Sequence, residues 1–204
     1  WRDPATQQPL QSFEGLRNHL NKSASRIHFA TNAGIYARGP TPCGLTICDS
    51  KVEVPLNLDD GEGNFYLKPN GVFLIDPSLG AMVVTANEFP SLTVKPRLAT
   101  QSGPILLRHG RFHPAFQKES PNLRQRSGVG VRSDGQVIFA MSDRDDRTRG
   151  RVTFHHLART FVHLGCDDAL YLDGDISQMV TDPPEDVPFT PNTFAAIFFI
   201  SSPK

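Results

Sequence analysis

Residues 168–177 read Asp168-Ala169-Leu170-Tyr171-Leu172-Asp173-Gly174-Asp175-Ile176-Ser177. The apolar run 169–172 has the character of a buried strand, which would deliver the Asp173 carboxylate to the strand's mouth while Gly174 lets the chain turn away. A strand end holds catalytic groups rigidly, but Asp-Gly is also ordinary turn chemistry, so the neighbouring segments decide. Just upstream, Phe154, Leu157, Ala158 and Phe161 fall at i, i+3, i+4 and i+7, with Thr153 as a cap and Gly165 near the stop. That spacing predicts a helix long enough to pack across a sheet.

Further upstream, the chain from residue 26 to about 142 reads as strands. They are expected at Arg26 to Thr31, Gly44 to Ser50, Asn64 to Lys68, Gly71 to Asp76, Ala81 to Thr85, Leu98 to Gln101, Ile105 to Arg108, Gly128 to Arg132 and Val137 to Met141. Turns are visible at residues 76–80, at His109-Gly110 and at Ser133-Asp134-Gly135, the last a hairpin signal between two apolar runs. Downstream, a Pro-rich connection (Pro183-Pro184, Pro188 to Pro191) leads to a last strand from Phe194 to Ile200. It is apolar on both faces and is therefore expected at the centre of a sheet. At the other end, Ser12 can cap a short helix through Asn21, with Phe13, Leu16 and Leu20 on one side. The fold class expected is α+β: a single domain with a strand-rich mixed sheet covered by one or two helices. Residues 1–25 form an N-terminal helical extension and residues 26–204 the domain itself.

Lys plus Arg and Asp plus Glu both number 21, so no net field favours nucleic acid or an anionic membrane surface. No apolar run approaches the roughly 20 residues of a membrane-spanning helix. The chain begins at Trp1, which fits removal of an upstream segment such as a signal peptide. Nothing in the sequence sets the oligomeric state. Of the three cysteines, Cys43 and Cys48 flank a short strand-like stretch; they could bridge locally or stand as two buried thiols, and Cys166 reads as a small core residue. Asp143, Asp145 and Asp146 are interleaved with Arg144, Arg147 and Arg149, which oppose cation accumulation, and the glycine of a calcium loop is missing. His155 and His156 are adjacent and point in different directions on a helix. No metal and no cofactor is expected.

Several short segments place polar groups at strand ends. Asn32-Ala33-Gly34 closes the first strand, where a left-handed Gly34 would present the Asn32 amide. Asn64, Lys68 and Asn70 bracket another strand and add amides and a cation; Asn70-Gly71 would serve equally as a hairpin turn. Gln101-Ser102-Gly103-Pro104 sets a hydroxyl and exposed backbone N–H groups where they suit an anionic oxygen. Ser102 lacks the frame of a nucleophile elbow and reads as a binder or a structural turn. Arg124 and Arg126 precede Gly128-Val129-Gly130-Val131, whose small residues would let a ligand or another backbone approach while a guanidinium grips a phosphate. Pairing of that strand with 137–141 would set Asp143 beside Arg126.

Taken in order, Thr31-Asn32-Ala33-Gly34-Ile35-Tyr36, Gly63-Asn64-Phe65, Asn70-Gly71-Val72-Phe73, Gln101-Ser102-Gly103-Pro104, Arg126-Ser127-Gly128-Val129-Gly130 and Leu172-Asp173-Gly174 resemble the phosphodiester glycosidase (uncovering-enzyme-like) family, in its short bacterial exported branch. The resemblance covers roughly residues 26 to 200. The family's Asn-Gly-Gly falls on Asn32, Ala33 and Gly34. Its Asp-Gly-Gly-Gly-Ser falls on Asp173 to Ser177, with Asp175 and Ile176 in place of two glycines, and His156 stands where a glutamate often sits. The resemblance implies a phosphodiester glycosidase-like domain that hydrolyses a sugar 1-phosphodiester at the anomeric C–O bond, an extracytoplasmic (periplasmic or secreted) location, and a sugar-phosphate or glycan partner.

A phosphodiester leaves as a stabilised anion, so the demand falls on stabilising an oxocarbenium-like state and guiding water. On this reading Asp173 supplies a carboxylate as base or electrostatic stabiliser, with Gly174 at its turn. Arg126 meets the phosphate, aided by Ser102 and the Gly103 N–H. Asn32, Asn64 and Ser177 orient sugar hydroxyls beside Gly34 and Lys68, and Asp143 orients Arg126 or acts as a second carboxylate. Two other readings stand beside it: a non-catalytic glycan- or cell-wall-binding module on the same fold, suggested by Asp175-Ile176, and a metal-dependent phosphoesterase resting on the aspartates alone.

Overall fold

In chain order, a capped helix and a strand-rich middle lead to a second helix, and the computed structural model describes residues 1–39, 41–143, 145, 146, 148 and 150–204. Arg144, Arg147 and Arg149, invoked above against a calcium site, lie outside the described residues. The first helix, α1 (Phe13–Asn21), starts where Ser12 accepts the Gly15 N–H, as its sequence predicts, and buries Phe13, Leu16 and Leu20. The second, α2 (Phe154–His163), is capped by Thr153, which accepts the His156 N–H, and stops at Gly165 with φ of 78°.

A five-stranded sheet is ordered Arg111–Phe112, Ile105–Arg108, Cys166–Tyr171, Ser127–Arg132, Val137–Met141, which makes the strand leading to Asp173 its centre. Alternation along that strand sends Ala169 and Tyr171 toward α2 and Leu170 and Leu172 the other way. A second five-stranded sheet, ordered Lys51–Val54, Thr46–Cys48, Leu98–Ser102, Gly71–Asp76, Gly80–Thr85, meets that other face through Phe73 and Val83 packed on Ile105, Val129 and Leu170. A third sheet sets Ser25–Asn32 between Met179–Thr181 and Ile197–Pro203, and α1 covers it. Phe139 stands 5.2 Å from Phe29 and 5.6 Å from Phe198, so one aromatic cluster joins the sheets. Every strand pairing among the described residues is antiparallel.

Two expectations are corrected. Asn64 to Lys68 is not a strand: Gly63, with φ of 93°, opens a 3-10 turn over Asn64–Tyr66 that buries only Phe65. The last strand is not central. Ile197–Pro203 is an edge whose one neighbour is Ser25–Asn32, and it leaves Phe199 and Ile200 43% and 61% exposed. The glycines of Ser127–Arg132 make room for an aromatic ring: a Cβ on Gly130 would stand 2.6 Å from Phe161 Cδ1, and one on Gly128 2.9 Å from Phe161 Cε2. Gly128 also admits another backbone, as expected, since its Cβ would stand 2.8 Å from the Leu170 carbonyl oxygen. Cys43 and Cys48 are free, half-buried thiols, and Cys166 is a buried one. No helix among the described residues is long and apolar enough to cross a membrane.

Candidate active site

Asp173 sits just beyond the central strand and is held there by backbone. The Leu172 N–H donates to the Ser127 carbonyl at 3.0 Å, and the Ser127 N–H donates to the Asp173 carbonyl at 2.9 Å. Those bonds carry the ladder past the last strand residue, so the side chain starts from a fixed point. Its Oδ1 accepts the Gly174 N–H at 2.6 Å. Burial pushes the carboxyl up to about 6, against the pull of that N–H, and the neighbouring Asp175 charge adds to the rise.

Two residues earlier on the same face, Tyr171 turns its ring edge-on to Phe154, the first residue of α2. Between them lies Arg126, 1% exposed, its guanidinium carbon 3.7 Å above the Phe154 ring and 5.6 Å from that of Tyr171. Nε donates to the Val152 carbonyl at 2.9 Å and Nη2 to that of Asn122 at 3.1 Å. Nη1 is buried and has no hydrogen-bond partner. Burial draws the guanidinium's pKa down, opposed by the Tyr171 hydroxyl. A buried cation with one uncommitted donor is poised for an anion. Gly174 completes the packing: a Cβ there would stand 2.7 Å from the Tyr171 hydroxyl oxygen.

These groups open on a cleft of about 240 Å³ whose wall combines Asp173, Gly174, Tyr171 and Arg126 with the exposed side chains of Asn64, Asn122, Arg124 and Asp175. Of the residues singled out in the sequence, the structure therefore gathers Asn64, Arg126, Asp173 and Gly174 around one space. Asn32 and Ser177 lie behind it. The Asn32 amide donates to Ser127 Oγ at 3.3 Å, Ser177 Oγ stands 2.8 Å from the same oxygen, and Ser127 Oγ reaches the Asp173 carbonyl at 3.4 Å. Both are fully buried, a setting that supports the Asp173 backbone. Ser102 is buried too: it donates to the Leu172 carbonyl at 2.9 Å and accepts the Ile35 N–H at 3.3 Å.

Gly103 packs where a Cβ would press on the Phe65 and Asn64 carbonyls, and so supports the turn that carries Asn64. Lys68 is exposed and donates to Asp60 at 2.6 Å and to the Leu58 carbonyl at 2.9 Å. The strand pairing does set residue 142 against Arg126, through the Ser142 N–H to the Arg126 carbonyl at 2.8 Å. Asp143 itself is exposed and caps its own loop by accepting the Asp145 N–H at 2.9 Å. Gly34 is not left-handed, contrary to expectation; its missing Cβ makes room for the Gln101 carbonyl, 2.5 Å from where that atom would lie.

Sequence reasoning did not single out Tyr171, Phe154, Asn122 or Asp175 as site residues, whereas Arg124, read with Arg126 as a phosphate-gripping guanidinium, does line the cleft. Tyr171 had a signal, since i and i+2 along a strand share a face with Asp173. Flanking the cleft, Tyr36 donates to the Thr193 carbonyl at 2.9 Å, and both the Tyr36 phenol and the Cys43 thiol are raised, first by burial and then by the Asp173 charge. Among the described residues no three His, Cys, Asp or Glu side chains converge to hold a metal.

The chain is 33% identical over 159 residues to the uncharacterized protein YigE of Escherichia coli (strain K12), an alignment spanning 77% of this chain and 59% of that protein. The catalytic domain of zebrafish N-acetylglucosamine-1-phosphodiester alpha-N-acetylglucosaminidase, auto-inhibited by its pro-peptide, superposes with a TM-score of 0.57 at 17% identity, over 86% of this chain and 61% of that one; this is a likeness of fold. The phosphodiester glycosidase family model matches residues 25–194, from the first strand of the third sheet through the Asp173 turn and beyond, and the chain belongs to that family.

Proposed function

We propose that the protein hydrolyses the anomeric C–O bond of a sugar 1-phosphodiester in the Asp173 cleft. One observation carries the reading: a half-buried carboxyl raised to about 6 shares a small cleft with a buried guanidinium that has an uncommitted donor. Arg126 Nη1, with exposed Arg124 at the rim, would hold the phosphate, and because that group leaves as a stabilised anion little acid assistance is needed. Asp173, ionised above pH 6, stabilises positive charge at the anomeric carbon or takes a proton from the attacking water. Asp175 supplies a second carboxylate beside it, and the Asn64 and Asn122 amides meet sugar hydroxyls. An envelope glycan as natural substrate and an extracytoplasmic location belong to the same proposal.

The test is a panel of sugar 1-phosphodiesters hydrolysed in ¹⁸O-labelled water. The label is expected in the released sugar, which marks C–O cleavage, and label in the phosphate would overturn the proposal. Asp173→Asn is expected to lower kcat by about 10²–10⁴-fold, and Arg124→Ala chiefly to raise KM. Binding across the panel without turnover would instead identify a glycan-binding module.

A further inference from the structure

Away from the cleft, the strand Ser25–Asn32 carries a bulge between Ile27 and Phe29, and His28 sits in it between both neighbouring strands. Its Nδ1 lies 2.8 Å from Asp182 Oδ1 and its Nε2 2.8 Å from Ser202 Oγ. Asp182 is a non-glycine residue at φ of 40°, fixed by its N–H to the His28 carbonyl at 2.7 Å. A residue held in that region costs conformational energy, and the result is a carboxylate set against the imidazole. Ser202 is partly exposed, and its other acceptor, the Pro203 carbonyl, is more distant at 3.2 Å. Arg26 is the ladder partner of Ser202, so the two side chains share a face, and a cavity of about 310 Å³ is lined by Arg26 and Asp182 together with Ile27 and Pro183.

We infer that Ser202, His28 and Asp182 form a second hydrolytic centre, independent of the Asp173 cleft, that cleaves small unhindered acyl esters. Asp182 accepts Nδ1–H and thereby fixes the tautomer in which Nε2 takes the Ser202 proton. Ser202 Oγ bonds to the ester carbonyl carbon as its proton passes to Nε2, and Arg26 is the cation on the face where the carbonyl oxygen gains charge. The ester C–O bond then breaks, and the leaving alkoxide departs with the proton from Nε2. Water next adds to the acyl-serine, giving its proton to Nε2, and Ser202 Oγ leaves with that proton to release the carboxylic acid. No other reactant is consumed.

The protein would be treated with a fluorophosphonate and followed by intact mass, in parallel with 4-nitrophenyl acetate hydrolysis. One adduct on the peptide holding Ser202 is expected, absent in Ser202→Ala, with labelling slowed at least tenfold in His28→Gln and in Asp182→Asn. Asp173→Asn should label like the parent. Asp182 is exposed, so its variant reports on the relay even if His28→Gln loosens the bulge. Absence of the adduct in the parent, or equal labelling in Asp182→Asn and the parent, would overturn the inference.

Discussion

Asp173 carries two opposed demands in one side chain. Burial raises its pKa from 3.8 to about 6, so the folded chain binds this proton more tightly than the unfolded chain does. The stability it confers is complete below the unfolded value and is lost as pH rises through 6, where the carboxylate becomes chemically useful. Asp173→Asn should therefore lower turnover while raising unfolding stability by up to about 3 kcal/mol at pH 7.5. Urea unfolding at pH 7.5 and pH 4 checks this, since the gain should shrink toward zero at the lower pH. If the proposed hydrolysis is observed, the acidic limb of kcat/KM in the parent protein should fall near pH 6. Gly174 is tied to the same spot by sterics: Gly174→Ala puts a methyl against the Tyr171 hydroxyl and should cost about 1–3 kcal/mol. Pairing it with Tyr171→Phe should return part of that loss, which a double-mutant cycle measures.

At the scale of elements, the central strand and α2 form one unit, because the ring that fits over Gly128 and Gly130 belongs to α2 and the ring over Arg126 is its first residue. Phe161 has no exposed surface, so Phe161→Ala should destabilise by about 3–5 kcal/mol. Thr153→Ala, which removes only the cap, should cost about 1 kcal/mol. Thermal melts distinguish the two. Elements with a strong local period were legible in the sequence: α1, α2, Gly71–Asp76, Ile105–Arg108 and Val137–Met141 all lie where their apolar spacing sets them. Asn64–Tyr66 was not, since its alternation fits a strand as well as a 3-10 turn and Gly63 decides through its backbone angle. The edge position of Ile197–Pro203 was hidden because strand order is a long-range property that no local window contains.

Across the whole molecule, the cleft exists only where chain segments near residues 64, 122–126 and 171–175 meet. Asp173 was readable at the end of its strand; Asn122 and Asp175 gave no local pattern to mark them, because their role comes from tertiary placement. The same dependence extends to residues 1–25. Phe13, Leu16 and Leu20 share a core with Ile27, Ala30 and Phe194, so α1 is the outer layer of the third sheet. Leu16→Ala, at a site with no exposed surface, should cost about 2–5 kcal/mol. Circular dichroism and tryptophan fluorescence should report a single shared unfolding transition.

Cys43 turns this arrangement into an instrument. Its thiol is half-buried, and its ionisation is held back in part by the charge on Asp173, so alkylation should quicken when that charge is neutralised. A maleimide reacting with Cys43, timed by mass spectrometry in the parent and in Asp173→Asn, would follow the proton on the aspartate without any substrate, and a phosphorylated sugar that settles beside it should change the same clock.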